Sequence, residues 1–209
     1  MTPVIQAGPA DLEELSHVIA AAFDGLAPSR WLISDEAARR EVLPAYFRIC
    51  LDHALASGVI CTTPDRDAAA LWLPAGQPGH GQLPDYPERL RAATIPWTRR
   101  FLAFDAALDR RHPAGPPHHH LVILAVRPDR QGHGTGTALL ESYHQVLDQA
   151  GAPAYLEASD ERTRRLYLRH GYTALGPPLH LPDGPPLHPM WREPRPWPRP
   201  AAAGGGLAG

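Results

Sequence analysis

The chain has 209 residues, 44% hydrophobic and 20% charged, enough apolar material for one domain with a full core. A formal net charge of −2 argues against nucleic acid as the main partner, and no apolar run reaches the ~18 residues of a membrane helix. There is no lysine, which excludes a Walker phosphate loop, a Schiff-base mechanism and a lysine nucleophile.

Thr2 to Ala7 reads as a first strand. Pro9 and Asp11 open a helix with Leu12, Leu15, Val18, Ile19, Ala22 and Phe23 on one face, and Gly25 to Ser29 breaks it. Ser34 is the expected cap of a second helix, whose apolar face carries Val42, Tyr46, Phe47, Ile49, Cys50 and Leu51 and which bends or restarts at Pro44. Two short strands, 59–62 and 68–73, flank the turn 64–67, and the second brings Trp72 close to its end. Residues 74–87 form a Gly- and Pro-rich loop holding His80, and 86–108 a partly helical stretch interrupted at Pro96.

After a loop over 110–117, His118, His119 and His120 lead into an apolar strand. Successive strand side chains point to opposite faces, so three histidines in a row cannot converge on one metal ion, and no metal is expected. His118 and His120 share a face. The strand ends at Pro128, and Gln131-Gly132-His133-Gly134-Thr135-Gly136 runs into a helix marked by Leu139, Leu140, Tyr143, Val146 and Leu147. A strand feeding a glycine-rich turn into a helix makes an anion site, because the first helical amides lack internal partners and the helix dipole adds positive charge. The spacing G-x-G-x-G is not that of a dinucleotide-binding loop. By itself the turn also reads as a plain connection.

Residues 153–158 read as the next strand, 161–170 as a helix, and 171–175 with 188–192 as a terminal hairpin around a proline-rich loop. Residues 194–209 have the composition of a flexible tail, leaving 1–193 as a single domain. The N-terminus lacks a signal-peptide pattern, so a cytoplasmic protein is expected, with Cys50 and Cys61 as reduced thiols.

Val126, Pro128, Gln131, Gly132, Gly134 and Gly136, followed by Ala138-Leu139-Leu140, resemble the acyl-CoA signature of the GNAT superfamily of N-acetyltransferases. Residues 153–159, with Leu166, Tyr167, Gly171 and Tyr172, agree with that family's second half. The nearer resemblance is to the puromycin N-acetyltransferase type, through Leu156-Glu157-Ala158-Ser159 and the spacing to Tyr167. The resemblance implies an α/β fold: a mixed, mostly antiparallel central sheet, helices on both faces, and a V-shaped split between two parallel central strands. It implies acetyl transfer from acetyl-CoA to the primary amine of a small molecule, an aminonucleoside-like antibiotic among the acceptors, by a monomer or homodimer without metal. The alternatives are a protein or peptide N-acetyltransferase and a non-catalytic CoA-binding module.

In such an enzyme the amides of Gln131, Gly132, His133, Gly134, Thr135, Gly136 and Thr137 would hold the pyrophosphate, and the backbone of Leu124, Ala125 and Val126 would align the pantetheine arm. Thr163 stands where many members carry an asparagine that contacts the cofactor. Tyr167 matches the family's general acid, and Glu157 is the candidate base, acting through water. Phe23, Trp31, Trp72 and His120 are the acceptor-pocket candidates.

Overall fold

The structure is a computed structural model that describes residues 2–76 and 83–196. His80 and its neighbours 77–82, and 197–209 of the expected tail, lie outside the described residues. In chain order come β1 (Ile5–Gln6), a 3-10 turn at Pro9–Asp11, α1 (Leu12–Phe23), α2 (Ala27–Leu32), α3 (Glu36–Ser57), β2 (Val59–Thr62) and β3 (Ala68–Ala75). They are followed by α4 (Tyr86–Thr94), α5 (Thr98–Asp109), β4 (His118–Val126), α6 (Thr135–Ala150) and β5 (Ala154–Ala158). The chain continues with α7 (Glu161–Arg169), β6 (Thr173–Ala174), β7 (Leu179–His180) and β8 (Pro186–Arg192).

The strands lie in the order β1-β2-β3-β4-β5-β8-β6, with β7 on β8. Every pairing is antiparallel except that of β4 with β5. This is the expected mixed, mostly antiparallel α/β sheet. The parallel pair is short: His119 opposes Ala154 and His120 opposes Tyr155, and there the register ends although β4 runs on to Val126.

Both faces of the sheet are buried, which is why β3 reads as a continuous apolar run. Ala69 and Leu71 face a core built with Leu15, Ile19, Leu43, Phe47 and Leu51 of α1 and α3. Ala68, Ala70 and Trp72 face a second core with Leu139, Leu140, Tyr143 and Leu147 of α6. Along β4 the alternation is broken once. Leu71 opposes Ile123 and Trp72 opposes Leu121, so Val122 is an extra residue, a β-bulge. The bulge puts Leu121 and Leu124 on the α6 side while Ile123 and Ala125 face α1 and α3.

Several local expectations change. Asp35, not Ser34, caps α3, its Oδ1 accepting from the Ala38 amide at 2.7 Å. The segment read as a break carries the short helix α2. Pro44 neither ends nor restarts α3, which is helical from Glu36 to Ser57. Burial of Leu43, Tyr46, Phe47, Ile49 and Leu51 on that helix outweighs the backbone bond that proline removes. The second strand extends two residues further than expected, to Ala75, and the proline-rich loop before β8 contains the strand β7.

The α6 core contains a buried titratable group. His144 is 5% exposed, and its Nε2 lies 3.0 Å from the Tyr172 hydroxyl. Burial holds its pKa down to about 3, and the charge of Arg192 and the neighbouring His170 add to the effect against Asp148. A histidine depressed in the folded state leaves stability intact above the unfolded value near 6.5 and removes it as pH falls toward 3. Urea melts between pH 6 and pH 4 should show stability falling with acid, and His144→Gln should flatten that slope by about 1 kcal/mol per pH unit. Equal slopes would place the acid sensitivity elsewhere.

Candidate active site

The turn after β4 is shaped by two glycines. Gly132 and Gly134 hold φ of 83° and 84°, the left-handed region where a Cβ is costly, and no other atom crowds either position. Gly134 is the residue before α6, and its carbonyl accepts the Ala138 amide at 2.9 Å, the first bond of the helix. The amides ahead of Ala138 are those that a helix start leaves without internal partners. Gly136 sits against β4, where an added Cβ would stand 3.6 Å from the Val126 side chain. The Gln131 side chain donates to the Val126 carbonyl at 3.1 Å, closing the turn back on the strand end.

These elements open onto a cleft of about 430 Å³. Of the residues expected at a cofactor site, Leu124, Ala125, Val126, Gln131, Gly132, Gly134, Thr135, Gly136, Thr137 and Thr163 line it. His133 does not; it is exposed, with Nδ1 3.3 Å from the Arg130 carbonyl. Thr163 faces the cleft, but its hydroxyl donates to Asp160, whose carboxylate accepts the Thr163 amide at 2.7 Å. That threonine therefore completes the capping box of Asp160 at the start of α7, and its hydroxyl proton is already committed there.

Tyr167 reaches the same cleft from α7, packed edge-on against Tyr172 at 5.7 Å. Burial, with Asp160 nearby, pushes its phenol above the usual range, so it keeps its proton at neutral pH. Among the cleft residues not anticipated are three arginines, Arg130, Arg162 and Arg169. Arg162, Leu166 and Arg169 form an i, i+4, i+7 stripe on α7 that was visible in the sequence once 161–170 was read as a helix. Arg130 stands 3.7 Å from Asp67, and its side chain is 56% exposed.

The acceptor candidates separate. Phe23 lines the cleft and packs on Phe47 at 5.1 Å. Trp31 does not line it; its Nε1 donates to the Pro182 carbonyl at 2.9 Å, and Arg100 stacks on its ring at 5.7 Å. Trp72 is fully buried and stacks on Tyr143 at 4.7 Å in the α6 core, so it cannot touch an acceptor. Its position in the middle of β3, opposite Leu121, replaces the strand-end position expected.

His120 and Glu157 meet at the fork of β4 and β5, with Nε2 of His120 2.8 Å from Oε2 of Glu157. Burial alone would raise the Glu157 pKa, but His120, the Tyr155 hydroxyl and His112 together outweigh it and keep the carboxyl below its ordinary value. The other oxygen, Oε1, is buried and has no hydrogen-bond partner. Nearby, His118 Nδ1 lies 2.8 Å from the Pro116 carbonyl, and its Nε2 lies 3.1 Å from Nε2 of His112. His112 also packs 5.0 Å from His120 and from Tyr155. Burial lowers the His112 pKa to about 4, with His120 and His118 adding to it.

Comparison with known proteins agrees with this geometry. Residues 101–174 match the acetyltransferase (GNAT) domain family. The structure is similar to that of a histone acetyltransferase HPA2 and related acetyltransferase from Corynebacterium glutamicum, at 26% identity and a TM-score of 0.71, covering 97% of this chain and 100% of that one. It also resembles arylalkylamine N-acetyltransferase 2 from Aedes aegypti, at 11% identity and a TM-score of 0.61 over 92% of this chain and 99% of that one. A third likeness is to the PaiA N-acetyltransferase of Thermoplasma acidophilum in complex with coenzyme A, at 12% identity and a TM-score of 0.57 over 92% and 99% of the two chains. The fold is the GNAT fold, and the domain match together with the first of these neighbours supports an N-acetyltransferase.

The turn gives a direct test. Gly134→Ala forces a side chain into the left-handed region and should cost about 1–2 kcal/mol of folding stability in denaturant melts. An unchanged midpoint would mean that the turn has a different conformation.

Proposed function

We propose that residues 1–193 form a single domain that transfers acetyl from acetyl-CoA to the primary amine of a small molecule. The observation that carries this reading is the cleft itself. One opening is shared by the amides at the start of α6, the edge of β4 from Leu124 to Val126, and the Tyr167 side chain. The amides and helix dipole suit the diphosphate of coenzyme A, and Arg130, Arg162 and Arg169 add fixed positive charge at the same opening. The β4 edge, left free where β5 departs, suits an extended pantetheine arm pairing as a strand would.

A protonated amine cannot attack a thioester. Glu157 accepts from His120 through Oε2, and as a buried carboxylate behind the cleft it takes the proton through water. The deprotonated nitrogen adds to the thioester carbon, and a backbone N–H near Val126 steadies the oxygen as it gains charge. Collapse of the adduct breaks the carbon–sulfur bond, Tyr167 protonates the departing thiolate, and the second proton of the nitrogen leaves through water, restoring the phenol. Phe23 supplies an aromatic wall for the acceptor.

The acceptor we favour is a cationic small amine of the aminonucleoside-antibiotic kind, which would make the activity protective. Support comes from the Leu156-to-Tyr167 sequence pattern and from neighbours such as the arylalkylamine enzyme. The histone acetyltransferase named for another neighbour favours a second reading, a protein or peptide acceptor. A thiol-release assay across small amines and a peptide library separates the two. Turnover on amines alone sustains the first, and turnover on peptides alone replaces it.

Calorimetry should detect coenzyme A binding, weakened about tenfold by Arg162→Ala, as loss of one charged hydrogen bond of about 1.5 kcal/mol implies. Tyr167→Phe should leave that affinity within about threefold while lowering turnover by about 100-fold or more, as loss of a general acid does. A drop under about fivefold would remove the role given to the hydroxyl.

A further inference from the structure

Three side chains converge from separate elements beyond the cleft lining. His112 lies in the loop after α5, His120 on β4 and Glu157 on β5, and one ligand atom of each lies within 4.8 Å of the others. We propose that this cluster binds a divalent transition-metal ion of the zinc type, and that the ion suppresses acetyl transfer by taking up His120 and Glu157. Binding stands on the geometry alone, whereas suppression rests on the proposed function.

The donor set is right for such an ion. Two imidazole nitrogens and one carboxylate oxygen bind zinc and leave a fourth position for water. A proton already bridges His120 Nε2 and Glu157 Oε2 at 2.8 Å, and a metal ion replaces that proton. Zinc bonds of about 2.0–2.1 Å place tetrahedral ligand atoms roughly 3.4 Å apart. From a starting separation of at most 4.8 Å, the loop that carries His112 needs to close by only about 1.4 Å.

Two independent observations point to a cation. The Glu157 side chain is 8% exposed, its Oε1 makes no hydrogen bond of ordinary geometry, and the one donor beside it is the equally unpartnered hydroxyl of Tyr155. A buried carboxylate oxygen served only by so loose a contact is costly, and a metal ion would hold it more firmly. The second observation is the support behind His112. The Pro116 carbonyl can only accept, so Nδ1 of neutral His118 carries the hydrogen and its Nε2 is a lone pair. Nε2–H of His112 then donates to that lone pair, leaving His112 Nδ1 free as a ligand. A ligand histidine whose second nitrogen is held in this way is the usual arrangement around bound metals. The alternation rule holds meanwhile: His119 points to the opposite face, its Nδ1 3.2 Å from the Tyr143 hydroxyl. Convergence comes from His112, a loop residue outside the histidine run.

The test uses the full chain, stripped with a chelator and titrated with cobalt(II). We expect one ion per chain, with visible absorption of four- or five-coordinate intensity, displaced by zinc. Loss of an outer-shell partner alone costs about 10–100-fold in affinity, so His112→Gln should weaken cobalt binding by more than about 100-fold. In the same variant, metal-free transfer should stay at the wild-type rate and zinc should no longer inhibit. A thermal melt matching the wild type shows that the variant is folded. Absence of the band, or equal affinity in His112→Gln, overturns the site. A band lost in the variant while zinc leaves wild-type transfer unchanged overturns the suppression. If the band forms and no amine or peptide is acetylated, the metal site stands and the transferase reading falls.

Discussion

Two parallel strands that pair over only two residues are the constraint from which the site follows. β4 is held along its outer edge by β3, from Ala68 opposite Val126 to Ala75 opposite His118. β5 is held along its whole length by β8, from Ala154 opposite Arg192 to Ala158 opposite His188. Each central strand is thus fixed by a different half of the sheet, and the halves diverge after His120 and Tyr155. The fork is therefore a property of the sheet and does not depend on either strand alone. It also leaves backbone groups of β4 without a strand partner on the β5 side. Such an edge requires either water or a ligand to complete it.

The halves are tied together behind the fork by polar groups. Arg192, 2% exposed at the end of β8, forms an ion pair with Asp148 of α6 at 2.7 Å and donates to the His170 carbonyl after α7. Asp148 also accepts the Arg195 amide at 2.8 Å. One buried arginine therefore fixes β8, and through it β5, relative to the helix whose N-terminus opens on the cleft. Breaking such a pair leaves a buried charge unpaired, so this contact sets position more than it adds net stability.

What could be read from the sequence was local. The turn at 131–136 depends on glycine conformations and a helix start, both encoded within a few residues. The strands 59–62 and 154–158 and the helix α7 were legible for the same reason. The misreadings share a cause in tertiary context. Pro44 is overridden by the burial of its helix, and Trp72 is claimed by Tyr143, a residue 71 positions away that no local pattern names. Thr163 was compared with an asparagine by position, while its hydroxyl had already been taken by the Asp160 cap, a pairing visible in the spacing of three. Period-two reasoning along β4 fails at Val122, because a bulge shifts every later side chain to the other face.

The same bulge explains why the elements proposed to hold the cofactor and the titratable groups can lie so close without competing. Without the extra residue, His120 and Leu124 would share a face of β4. With it, Leu124 and Val126 turn toward α6 and the glycine turn, and His120 stays on the face of Tyr155 and Glu157. One strand therefore presents an apolar wall to the cleft at its C-terminal end and an imidazole to the buried carboxylate near its start. Groups that grip a phosphate and groups that move a proton need opposite surroundings, the first wet and cationic, the second shielded. A single inserted residue gives β4 both.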